Sequence, residues 1–192
     1  MTTENSTTIE KRSDISYKEF IDKYQKPGIP VVLENATKIW KDNLIFTPGF
    51  FKEHFGNRTT RFADREYTIS EMLDLTANST KENPAPYPVK FDILTQLPEL
   101  LSFMEPLHMD LIKPNWLKSK VLKNKLGNAM DLHIGGAGNH YSVHKDAYDV
   151  HAWLIQFYGE KQVIVFPRDQ EELMYPGKGG LLESRSPIDI SN

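Results

Sequence analysis

Traced by its apolar and polar positions alone, the chain changes character near residue 128. Before that point apolar residues fall in short clusters, several at helical spacing and several broken by proline or glycine. After it they fall in short runs, "AMDLHIG", "YSVHKD", "AWLIQFY" and "KQVIVFP", separated by glycine-rich or polar turns. Apolar runs of that length, bounded by turn residues, predict β-strands. Between the last two runs stand Tyr158-Gly159-Glu160-Lys161, with glycine at the first turn position, as a type II′ hairpin prefers. Short strands joined by tight turns predict a sandwich or small barrel.

The earlier half predicts a mixture of helices and a few strands. Residues 1–13 are polar and predict a disordered tail. Ser16 and Glu19 have the spacing of a capping box, with Ile15 and Phe20 placed as its hydrophobic staple, so a helix starts there and Pro27-Gly28 stops it. "IPVVLEN" predicts a short buried strand. Thr47-Pro48 supplies an N-cap and a first-turn proline for "GFFKEHF", which Gly56 ends. "TTRFADREYTI" predicts a hairpin, and Thr68 with Glu71 repeats the capping-box spacing before "MLDL". "ANSTKENPAPYPV" is a proline-rich connector, "LPELLSFM" a short helix and "LIKPNWLKS" a loop. The division is a tail over 1–13, a mixed α/β part over 14–128 and a β core over 129–192: a mostly β protein with N-terminal α/β elements.

Composition narrows the chemistry. In 192 residues 39% are hydrophobic and 26% charged, a globular balance of about one domain. With no cysteine there is no disulfide framework and no thiolate, so any catalysis rests on His, carboxylates, Lys, Ser/Thr or Tyr. A net charge of −3 without a basic cluster excludes a dedicated nucleic-acid binder. No apolar run approaches the ~20 residues of a membrane helix, and the polar start lacks a signal core, so the expected location is cytoplasmic.

The densest chemistry lies in "GNHYSVHKDAYDVHAWLIQFYGEK", residues 138–161, which holds three of the six histidines. Strands rarely carry so many ionisable groups without a reason. His144 and Asp146, two apart on a strand, point to one face. Imidazole and carboxylate on one face are two of the three donors of the 2-His-1-carboxylate set that holds non-haem Fe(II). A structural hydrogen-bonded pair has the same pattern, and the spacing alone does not separate the two.

The longer stretch "LHIGGAGNHYSVHKDAYDVHAWLIQFYGEKQVIVFPRDQEELMYP" resembles the cupin-like, JmjC-type Fe(II)/2-oxoglutarate oxygenases. More narrowly it is similar to the group containing the asparaginyl hydroxylase called factor inhibiting HIF. The resemblance is carried by His-x-Asp, "Q-x-x-G-x-K", "F-P-x-D-Q" and "L-x-Y-P", with "GIPVVLENAT", "FGNRTTRF" and "LPELLSFM" upstream in the family's order. It implies a partial double-stranded β-helix (cupin, or jelly-roll) core. It also implies His144 and Asp146 as metal ligands and catalytic residues, Fe(II) as the metal and 2-oxoglutarate as co-substrate. Lys161 would pair with the distal carboxylate of 2-oxoglutarate, a charge-assisted bond. Tyr141 and His151 are further candidates for contacting co-substrate, and Tyr87, in the proline-rich connector, is a candidate for helping to hold 2-oxoglutarate. Ala152 stands where the hydroxylase has an asparagine. His54, His108, His133 and His140 read as structural or exposed.

The family's second ligating histidine has no counterpart after His151, and "SRSPIDISN" resembles the loop before the family's final strands. The resemblance therefore implies that residues 129–192 carry only the first strands of the β-helix, as in a C-terminally truncated chain. The expected function is hydroxylation of a protein side chain or a small molecule, with no nucleic-acid or membrane partner and with self-association as a homodimer. The alternative is a non-catalytic cupin-fold binding or scaffold protein with an incomplete metal site.

Overall fold

In a computed structural model of the chain, the residues described are 8–40, 45–105, 130–146, 150–175, 177 and 184–190. They divide into two compact units, one of residues 1–45 and 93–130, the other of 46–92 and 131–192.

The first unit opens with strand β1 (Lys11–Arg12), pairing parallel with β2 (Val32–Leu33). A strand thus already stands inside the segment read as tail. Arg12 explains it: the guanidinium bonds Glu19 at 2.8 Å and the Tyr24 hydroxyl at 3.1 Å, tying the strand to the following helix. Helix α1 (Tyr17–Phe20) starts at the expected cap, where Ser16 Oγ accepts from the Glu19 N–H at 3.2 Å, and runs on as a π-helical turn over Ile21–Gln25. The Glu19 carboxylate serves Arg12 and Lys23. Gly28, at φ +72°, ends the segment. β2 is short and Val32 exposed, not the buried strand the apolar run predicts. Phe20, Tyr24 and Trp40 are buried here, as are Ile93 of α4 (Ile93–Gln96) and Leu97, Leu100 and Met104 in and beside the 3₁₀ helix Pro98–Met104. The "LIKPNWLKS" loop falls outside the described residues.

The second unit carries the chemistry. Helix α2 (Pro48–Phe55) is capped by Thr47 Oγ1, which accepts from the Phe50 N–H at 3.2 Å. A cap of this kind contributes about 1 kcal/mol. The hairpin β3 (Thr59–Phe62) and β4 (Arg65–Thr68) forms as expected, with Thr60 opposite Tyr67, and turns at Ala63, whose φ is +55°. Helix α3 (Ile69–Ala77) follows from the Thr68 cap, whose Oγ1 accepts from the Glu71 N–H at 3.0 Å. Lys52 of α2 pairs with Asp74 of α3 at 2.6 Å. β5 (Val89–Asp92) and β6 (Asp131–Ile134) form an antiparallel pair whose alternation is clean: Val89, Phe91, Leu132 and Ile134 are buried, and the residues between them face out. Full burial of an aliphatic or aromatic side chain contributes about 1.5–3 kcal/mol, so this ladder is a stable platform.

Past β6 the expected strands shrink. β7 is only His144–Lys145, pairing antiparallel with β8 (Ser184–Arg185), so "SRSPIDISN" supplies a strand where a loop is expected. The runs "AWLIQFY" and "KQVIVFP" are not strands at all. Gly159 has the positive φ of +75° that the predicted turn requires, but no ladder forms across it among the described residues. Apolar patterning makes a strand only where another backbone meets its N–H and C=O groups, and here Leu154 and Ile164 remain 67% and 50% exposed. Residues 168–174 form a 3₁₀ helix. Among the described residues the sheets are four two-stranded pairs and none closes into a barrel.

Candidate functional site

The site grows outward from the β5–β6 ladder. Lys90 and His133 stand directly opposite each other on its outward face. After β6 the chain passes through Gly135-Gly136-Ala137-Gly138, and the proline-rich connector packs so closely there that side chains have no room. A Cβ on Gly138, which has φ +80°, would lie 2.4 Å from the Thr80 carbonyl oxygen, and one on Gly135 would lie 2.9 Å from the Tyr87 ring. Four hydrogen bonds lock the contact. Asn139 accepts from the Gly136 N–H at 2.8 Å and donates to the Ala85 carbonyl at 2.6 Å. Ser79 Oγ donates to the Ala137 carbonyl at 2.6 Å and accepts from the Ala85 N–H at 2.8 Å.

This lock delivers Tyr87 to the site. Its ring meets Tyr141 edge to face, centroids 6.3 Å apart, and its hydroxyl accepts a hydrogen bond from Lys161 Nζ at 3.4 Å. Tyr141 in turn packs edge-on against the His144 imidazole at 4.6 Å. Lys161, Tyr87, Tyr141 and His144 therefore form one connected chain of contacts.

His144 and Asp146 converge as their spacing implies. The Nδ1 of His144 lies 2.8 Å from the Ser142 carbonyl oxygen. A carbonyl only accepts, so Nδ1 carries the proton of the neutral ring and Nε2 keeps its lone pair. Nε2 lies 3.5 Å from Asp146 Oδ1, longer than a good N–H···O bond, with the side chains 26% and 44% exposed. A ring nitrogen lone pair and a carboxylate oxygen facing one point, with the other ring nitrogen held by a backbone carbonyl, match the donor arrangement of a metal-binding histidine. The pair fits two positions of an Fe(II) donor set. Among the described residues no group of three His, Cys, Asp or Glu side chains is placed to hold a metal ion. His151 is exposed and does not complete such a group.

Lys145 points away from His144, as alternation requires, and pairs with Glu171 of the 3₁₀ helix at 2.8 Å. Three features lay outside the sequence expectation. Lys90 Nζ approaches the Tyr141 ring, 6.0 Å from its centroid, and lies 3.9 Å from Asp131. The His133 imidazole is held below its ordinary value, first by the protein packed around it and then by the positive charge of Lys90, with Asp131 opposing and Lys161 adding to the lowering. Arg185 donates 2.7 Å to the Tyr141 hydroxyl and 2.8 Å to Ser142 Oγ. The outward alternation of β5 and β6 is the signal that finds Lys90 and His133; Arg185 has none, because its segment reads as a loop.

Residues 46–192, more than half of the chain, match the cupin-like domain family. The chain belongs to the cupin-like family. A cupin-like domain implies a jelly roll, so the β core expected after residue 128 is of the right kind, although the described residues form only its paired fragments. This cupin-like chain is 21% identical, over 84% of its length, to an arginine-specific demethylase of Arabidopsis thaliana. It is 25% identical over 96% of its length to a lysine-specific demethylase of the same plant, and 25% over 98% to lysine-specific demethylase 8 of Xenopus tropicalis. It spans 42% of the first relative and 43% of the other two. No solved structure matches it. Among the described residues no helix is long and apolar enough to cross a membrane.

Proposed function

We propose that this cupin-like chain belongs to an Fe(II)- and 2-oxoglutarate-dependent oxygenase of the JmjC type. The reaction joins one oxygen atom of O₂ to a substrate C–H bond, giving C–OH, while the other oxygen enters 2-oxoglutarate as it loses CO₂ and becomes succinate. Bound Fe(II) would supply the O₂ activation. The observation that carries the reading is the convergence of His144 Nε2 and Asp146 Oδ1, with the tautomer of the ring set by Ser142.

The remaining residues take roles that their positions support. Lys161, bonded to the Tyr87 hydroxyl, places an ammonium and a phenol at one end of the site, a fitting pair for a carboxylate of 2-oxoglutarate. Tyr141 stands between that pair and His144, where it shields the donor pair on one side and contacts co-substrate. His151 is the reserve candidate for a substrate or co-substrate contact. The substrate is a protein side chain or a small molecule. The names of the three relatives favour a methylated lysine or arginine, since oxygenation of an N-methyl group leads to its release. The likeness to the asparaginyl hydroxylase group favours hydroxylation that leaves the side chain whole.

The alternative, a cupin-fold binding protein with an incomplete metal site, is favoured by one observation: the described residues present two metal donors together, and not three. Adding Fe(II) and 2-oxoglutarate without oxygen to the complete gene product decides between them. The oxygenase reading expects the visible charge-transfer absorption of an Fe(II)–2-oxoglutarate chelate, lost in His144→Ala and Asp146→Ala. A wild-type protein without that band would support the scaffold.

A further inference from the structure

Two groups orient the His144 imidazole. The Ser142 carbonyl fixes its Nδ1 at 2.8 Å, and the Tyr141 ring packs edge-on against it at 4.6 Å. A single side chain on another strand holds the residues that supply both. Arg185, opposite His144 in the β7–β8 ladder, donates through one terminal nitrogen to the Tyr141 hydroxyl at 2.7 Å and through the other to Ser142 Oγ at 2.8 Å. Its guanidinium carbon also lies 4.9 Å from the centroid of the Tyr141 ring. β8 is itself anchored: the Ser186 N–H donates to the Val143 carbonyl at 2.8 Å and the Gly177 N–H to the Arg185 carbonyl at 3.1 Å.

We propose that Arg185 is a positioning residue for the metal-donor histidine, a two-pronged clamp from β8 that fixes Tyr141 and Ser142 and through them the direction of His144 Nε2. The inference rests on the metal-site reading above. Its physical basis is the planar fork of the guanidinium, which satisfies two acceptors in fixed relative positions; an ammonium is a point charge on a flexible stem and holds no such angle. Partners one step removed from a metal typically change its affinity 10- to 100-fold when lost. Without the clamp, Tyr141 is released from one side and the imidazole gains rotamers that turn Nε2 away from Asp146.

The test uses the complete gene product and Mn(II) alone, titrated by calorimetry, with an NMR measurement of the nuclear Overhauser contact between the Tyr141 and His144 rings in metal-free protein. Arg185→Ala is expected to weaken Mn(II) binding by about 10-fold, the lower end of that range because the clamp acts through Tyr141 and Ser142, and to abolish the ring contact. Arg185→Lys is expected to resemble Ala, because charge without the fork does not clamp. Tyr141→Phe, which keeps the ring and deletes one acceptor, is expected to fall between wild type and Arg185→Ala, and it stands in for that variant if the latter does not fold. Wild-type affinity with an intact ring contact in Arg185→Ala, or full rescue by Arg185→Lys, overturns the clamp. Equal Mn(II) affinity in wild type and His144→Ala overturns the metal reading instead, and the ring contact then decides the clamp by itself.

Discussion

Lys161 Nζ donates to the Tyr87 hydroxyl at 3.4 Å, across 74 residues of sequence. The bond joins the turn after residue 158 to the proline-rich connector. If this pair receives a carboxylate of 2-oxoglutarate, Lys161→Ala should raise the 2-oxoglutarate concentration needed for half-saturation by about 10-fold or more, the size of a lost charge-assisted bond. Metal affinity should stay within about twofold, because among the described residues Lys161 connects to His144 through the Tyr87 and Tyr141 rings. Tyr87→Phe should cost less, and Lys161→Arg less than Lys161→Ala. A fall in metal affinity at an unchanged 2-oxoglutarate requirement would make Lys161 structural.

His133 reports on the same charges. Its imidazole is held below 6.5 by burial first and then by Lys90 and Lys161, against Asp131. The fold therefore favours the neutral ring. Its contribution to stability is complete above the unfolded value and is lost as pH falls through the lower folded value. NMR titration of the ring should move upward in Lys90→Ala and, by less, in Lys161→Ala. No movement in either variant would place both ammoniums farther from His133 than the present geometry has them.

The first unit has an acid-sensitive cluster of its own. Arg12 and Lys23 hold the Glu19 carboxyl at about 2, and Lys18 with Lys26 holds Asp22 at about 2. Both values are depressed, so the stability they contribute is present above the ordinary carboxylate range and is lost as pH falls toward 2. Thermal melts between pH 5 and 2 should show a shallower acid decline in Glu19→Gln than in wild type, and salt should narrow the difference, since Lys18, Asp22, Lys23 and Lys26 face water and the Arg12–Glu19 pair is only part-buried. An unchanged acid slope would show that the Arg12–Glu19 bond is not populated in solution.

Much of this arrangement is legible in the sequence where the physics is local. The caps at Ser16, Thr47 and Thr68 formed because an Oγ meets an N–H three residues on, and the 59–68 hairpin formed because its alternation and its turn agree. His144 and Asp146 converge for the same short-range reason. Legibility fails where a partner far along the chain decides. "AWLIQFY" and "KQVIVFP" have strand patterning but no ladder among the described residues, Arg12 draws a polar tail into a strand, and Arg185 reaches Tyr141 from a segment that reads as a loop. The glycines at 135–138 are visible as glycines, yet only the packed connector shows that they make room for Tyr87.

The exposed apolar run makes its own prediction. Leu154, Tyr158, Val163, Ile164 and Val165 all face solvent, and extended apolar backbone of this kind recruits other chains. Residues 1–192 expressed alone should elute from size exclusion as oligomers, and Leu154→Lys with Ile164→Lys should shift them toward monomer. A monomeric wild-type chain would show that this surface is covered in solution.

The proposed oxygenase site has His144 and Asp146 as two donors of one metal. Its most direct test is the conversion of 2-oxoglutarate to succinate by the complete gene product with Fe(II) and O₂, measured for wild type, His144→Ala and Asp146→Ala. Metal-dependent succinate is expected in wild type, with a loss of at least about 100-fold in each variant, the scale on which losing a group that touches the reacting centre is felt. Turnover that survives both substitutions would contradict the proposed site.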